Sequence, residues 1–106
     1  MAELSRDLKE FRKTRGLSQE VIGCFSGFSS ITIHRFEHPD GRQPGEKTVA
    51  KMEEFCDKIE EIDLRCHNID TPNRELVFQW HVNGKFDWYT LPYGCPLSMA
   101  KKRIGL

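Results

Sequence analysis

Cys66 and His67 adjoin, and His81 and Cys95 follow at wide gaps, and all four are side chains of the kind that bind zinc. Structural zinc sites draw their thiolates and imidazoles from closely spaced pairs, and this spacing does not match. Cys24 and Cys56 are just as isolated, and no Cys-x-x-Cys occurs. The cysteines read as buried, reduced thiols, with no metal, no cofactor and no disulfide framework expected. No Ser-His-Asp set, pair of catalytic carboxylates or phosphate-binding loop is visible, so the chain is not expected to be an enzyme.

The elements that would position any site come from an ordinary globular composition. Hydrophobic residues make up 38% of the 106 and charged residues 30%, which predicts one domain with room for an extra element at one end. No apolar run approaches the ~20 residues needed to cross a membrane. The start, Met-Ala-Glu-Leu-Ser-Arg-Asp, lacks the pattern of a secretory signal, so a cytoplasmic location is expected. Net charge is zero, but its distribution is uneven. Lys and Arg outnumber Asp and Glu by seven to six in residues 1–45, trail five to nine in 46–75, and lead four to one in 76–106.

Helical spacing dominates the first two thirds. Leu4, Leu8 and Phe11 share one face of a helix expected from about Glu3 to Arg15, with Gly16 as its stop. Ser18 reads as the cap of a short helix from Gln19 to about Phe25, and Ser29 as the cap of another from Ser30 to about Glu37. Helices this short need packing to survive, which Leu17, Ile22, Phe28, Ile33 and Phe36 are placed to supply. Two Pro and two Gly make residues 38–45 a loop. Val49, Met52, Phe55, Cys56, Ile59 and Ile62 mark a fourth helix from Glu46 to about Asp63, with a solvated acidic face opposite.

After a polar connector at Asn68 to Asn73 the period falls to two, through Leu76, Phe78 and Trp80, then Phe86, Trp88 and Thr90, around Asn83-Gly84. This is a β-hairpin pattern. A two-residue Asn-Gly loop would pair Trp80 with Asp87 and mix apolar with polar on each face. A three-residue loop, Val82-Asn83-Gly84, pairs Trp80 with Phe86 and Phe78 with Trp88 on one apolar face. That register is the one expected here. The segment after Pro92 shows no period and reads as a tail ending in the basic Lys101-Lys102-Arg103.

Within this frame, Leu17 to Glu37 resembles the helix-turn-helix of the phage-repressor/Cro (XRE) superfamily. Gln19 opens the first helix, Gly23 takes the small-residue position where two helices cross, and Gly27 follows four residues later in the turn. Ile33 and Phe36 take the inward positions of the second helix, and Arg35-Phe36-Glu37 matches the Arg-apolar-Glu ending. Ser26 stands where the family usually has Leu, and the neighbouring Phe25 is expected to fill the vacated core. The loop before the fourth helix also differs from the family's short glycine turn.

The resemblance covers about residues 4–60. It implies a mainly α, α+β chain. A four- to five-helix repressor-like DNA-binding domain over residues 1–66 is followed by a hairpin and tail over 67–106.

It also implies a sequence-specific transcriptional regulator, expected to be a repressor, that binds double-stranded DNA. Carried over position by position, Ser30, Ile31, Thr32, His34 and Arg35 are the base-contacting candidates. Arg35 is suited to a bidentate contact with guanine, or else to an ion pair with Glu37 or Glu20. Gln19, Ser29, Arg42 and Lys47 are the phosphate-contacting candidates. A chain of so little charge needs two copies on a palindrome. Phe78, Trp80, Phe86 and Trp88 are assigned to the homodimer interface, with packing on the chain's own helices as the alternative. Two other functions remain open: an antitoxin that also binds a toxin protein, and an adaptor whose helix-turn-helix scaffold binds protein.

Overall fold

The computed structural model describes residues 4, 6–38, 44–68 and 75–106. Helix α1 (Leu8–Thr14) begins later than its apolar spacing suggests, because the Asp7 side chain accepts the Glu10 N–H and caps it there. Helices α2 (Gln19–Ser26) and α3 (Ser30–Glu37) start where their serine caps place them. Ser18 accepts from the Val21 N–H and Ser29 from the Thr32 N–H. Helix α4 (Glu46–Glu61) buries Val49, Met52, Phe55, Cys56 and Ile59. Its acidic face is not merely solvated, since the Arg6 guanidinium reaches Asp57 at 2.7 Å and Glu60 at 2.6 Å.

Three strands follow in an antiparallel sheet of order β1-β2-β3: β1 (Arg65–Asn68), β2 (Leu76–Val82) and β3 (Lys85–Leu91). A fifth helix, α5 (Leu97–Ile104), closes the chain. Among the described residues the fold is therefore α+β, with five helices and one three-stranded sheet.

The hairpin register corrects the expectation from apolar pairing. Trp80 faces Asp87, Phe78 faces Tyr89 and His81 faces Phe86 across a two-residue Asn83-Gly84 loop. Both loop residues have positive φ, 52° and 77°, as a type I′ turn requires, and the twist of that turn suits the strands it joins. Turn geometry outweighed a single apolar face because the sheet has two. Phe78 and Trp80 point inward, 0% and 2% exposed, while Phe86 and Trp88 point outward, 55% and 58% exposed. Asp87 is tolerated on the inner side because Arg103 of α5 approaches it to 3.5 Å. That guanidinium also lies 5.7 Å from the Trp80 ring.

Strand β1 and helix α5 were not expected. The first carries one apolar residue, Cys66, and is held by pairing with β2 and by a 2.8 Å bond from the Cys66 N–H to the Arg15 carbonyl. The second replaces the aperiodic tail, with Ala100 and Ile104 buried. The boundary placed at residue 66 does not coincide with a break in packing. One hydrophobic cluster joins Leu8, Phe25 and Cys56 to Phe78, Trp80 and Ile104. The Phe25 and Phe78 rings lie 5.5 Å apart, and the His81 N–H donates to the Ile62 carbonyl at 2.7 Å. Among the described residues no helix is long and apolar enough to cross a membrane.

Candidate functional site

The site is built on an elbow between α2 and α3. Gly27 ends α2 in the left-handed region at φ 82°, where a side chain would be strained. Ser26 serves the turn. Its Oγ donates to the Ile22 carbonyl at 2.6 Å and accepts the Phe28 N–H at 3.3 Å. Phe25 turns into the core as expected. The helices approach closely at Gly23, where an added Cβ would stand 3.2 Å from the Phe28 carbonyl oxygen.

Helix α3 is anchored on one side and bare on the other. Ile33 is fully buried, and Phe36 packs edge-on to Phe28 with centroids 6.3 Å apart. At its end, Glu37 receives Arg12 of α1 through Nη2 at 2.9 Å and Nε at 3.3 Å. Ser30, Ile31, His34 and Arg35 fall at i, i+1, i+4 and i+5, so they share the outer face, and all four are exposed. Ile31 is 63% exposed. Among the described residues Arg35 has no hydrogen-bond or ion-pair partner. Of its two alternative partners, Glu37 is committed to Arg12, and no ion pair joins Arg35 to Glu20. The His34 and His38 rings stack with centroids 4.0 Å apart.

Thr32 does not stand with these four. It is half-buried, and its hydroxyl lies 3.1 Å from that of the exposed Ser29. Gln19 and Lys47 are exposed near the starts of α2 and α4, while Arg42 lies outside the described residues.

Of the four aromatics assigned to a subunit interface, the structure separates two from two. Phe78 and Trp80 are consumed by the chain's own core, which corrects their assignment. Phe86 and Trp88 remain on the outer sheet face, where Phe86 meets His81 edge-on at 5.4 Å. Cys66 and His67 point to opposite sides of β1, one buried and the other hydrogen-bonded to Gln79 at 2.9 Å. Burial raises the thiols of Cys56 and Cys66 to about 11, well above the ordinary range.

Besides β1, two features left little or no mark that the sequence was read for. The Arg12–Glu37 pair spans 25 residues and leaves no local signal. The α5 helix did leave one, since Leu97, Ala100 and Ile104 recur at i, i+3 and i+7. No protein-family model, curated protein or solved structure matches the chain.

Proposed function

We propose that the chain is a sequence-specific DNA-binding transcriptional regulator of the phage-repressor/Cro type, a repressor acting as a homodimer on a palindromic operator. The observation that carries this reading is the outer face of α3. Ser30, Ile31, His34 and Arg35 stand exposed together, the guanidinium without a partner among the described residues, on a short helix fixed from behind by Ile33, Phe36 and the Arg12–Glu37 pair. A rigidly held helix with a free outer face is what the major groove accepts.

In this mechanism Arg35 reads guanine through O6 and N7, Ile31 contacts a thymine methyl group, and Ser30 and His34 complete the base-edge contacts. The free N–H groups at the start of α2, with Gln19, Ser29 and Lys47, hold phosphates and set the register. The exposed pair Phe86 and Trp88 is the surface left for the second copy.

Selection from a random duplex pool tests this reading. The expected product is a palindrome with half-sites about one helical turn apart, bound with an affinity that falls as salt rises. Failure to enrich any sequence overturns it. A second reading, a protein-binding adaptor on the same scaffold, is favoured by the zero net charge. Affinity independent of both sequence and salt would leave that one standing.

A further inference from the structure

A groove of about 340 Å³ opens where the end of α2, the middle of α4 and the end of α5 meet. Its floor is aromatic: Phe25 and Phe55 are buried and Phe28 is half-buried beside the Ser26-Gly27 turn. Its rim carries Lys51 and Lys58 from α4 and Lys101 from α5, set beside Glu54, with Leu106 completing the lining. None of the three lysines has an ion-pair or hydrogen-bond partner among the described residues. A chain with zero net charge thus gathers three ammonium groups, without partners among the described residues, around one groove with an aromatic floor.

We propose that this groove binds a small aromatic carboxylate. Each part of such a ligand meets a complementary wall. The ring lies against Phe25, Phe28 and Phe55, where edge-to-face contact adds to apolar burial. The carboxylate meets the lysine rim, where charge-assisted hydrogen bonds are stronger than neutral ones. An empty apolar cavity of about 150 Å³ holds one benzene ring, so this volume holds roughly two. Inorganic phosphate leaves the aromatic floor unused, and a neutral aromatic leaves the lysines unpaired. The proposal is independent of the DNA-binding reading, because none of the α3 outer-face residues takes part.

The test is an amide-resolved NMR titration of the full chain with 2-naphthoate, 2-naphthamide and inorganic phosphate. Naphthoate is expected to bind saturably, with shifts centred on Phe25–Phe28, Lys51–Lys58 and Lys101. The amide should bind at least tenfold more weakly. Replacing Lys58→Gln together with Lys101→Gln should weaken naphthoate at least tenfold and leave the amide unchanged. Lys58 is exposed and Lys101 half-buried, and neither has a partner among the described residues, so both proteins should show the same folded spectrum. Equal affinity for acid and amide overturns the proposal, as does phosphate binding as tightly as naphthoate. Shifts centred on Phe86 and Trp88, or no saturation at ~1 mM naphthoate, overturn it equally.

Discussion

The guanidinium of Arg12 holds the carboxylate of Glu37 through two nitrogens, and the Glu37 side chain is only 1% exposed. Arg12 also donates to the Leu17 carbonyl at 3.3 Å, so one side chain ties α1, the connection to α2 and the end of α3 together. Removing one partner strands the other charge. Arg12→Ala is expected to cost about 3–5 kcal/mol, whereas Arg12→Met with Glu37→Leu should cost far less. Urea unfolding of the two variants decides it, and equal losses would show that the pair is not acting as a buried charge clamp.

On the proposed interface, Arg35 and Lys47 should behave differently. Arg35→Ala is expected to weaken binding to the selected site by ~1–3 kcal/mol and to relax one base position. Lys47→Ala should weaken every duplex alike and lower the salt dependence by about one phosphate contact. Neither side chain is buried, so thermal stability should stay within about 0.5 kcal/mol of the parent. Binding titrations at several salt concentrations separate the two effects.

Two glycines with positive φ should differ sharply in their tolerance of alanine. Gly27→Ala meets no atom within 4 Å and carries only the strain of its left-handed backbone, about 1 kcal/mol. Gly16→Ala adds a collision, because its Cβ would sit 2.1 Å from the Cys66 carbonyl oxygen. That oxygen is main chain and cannot swing aside, so a loss of more than 3 kcal/mol is expected. Comparable melting temperatures for the two variants would contradict this account.

Alkaline pH should destabilise the fold. Below about pH 9 the Cys56 and Cys66 thiols are protonated in both the folded and unfolded chain, and they leave stability independent of pH. Between about 9 and 11 the unfolded chain releases protons that burial makes the folded chain keep, so stability falls as pH rises. The slope should approach two protons per molecule and drop by one in Cys66→Ala. Unfolding free energy measured across that window gives the count.

Replacement of Phe86 and Trp88 together by serine should convert the proposed dimer to a monomer of unchanged stability, because both are exposed in the single chain. Phe78→Ala should instead unfold it, at a cost of about 3–5 kcal/mol. Sedimentation alongside thermal melting tests the division. A dimer that survives the double replacement places the contact elsewhere.

Local rules determined much of this protein from sequence alone. Ser18 and Ser29 started their helices where serine caps do, Gly27 ended α2, and the spacing of Ile33 and Phe36 decided which side of α3 faces inward, leaving Ser30, Ile31, His34 and Arg35 outside. These signals act over one or two helical turns, which is why they are readable.

Other features required the folded chain. The strand β1 exists because β2 and the Arg15 carbonyl offer it partners, not because Arg65-Cys66-His67-Asn68 has a strand pattern. The hairpin register followed from an Asn-Gly turn supported by Arg103 from a helix further along, so Asp87 could lie inward and Trp88 outward. The Arg12–Glu37 clamp and the lysine-rimmed groove join residues distant in sequence. Such contacts arise when separated segments bury surface against one another, and no local window contains both partners.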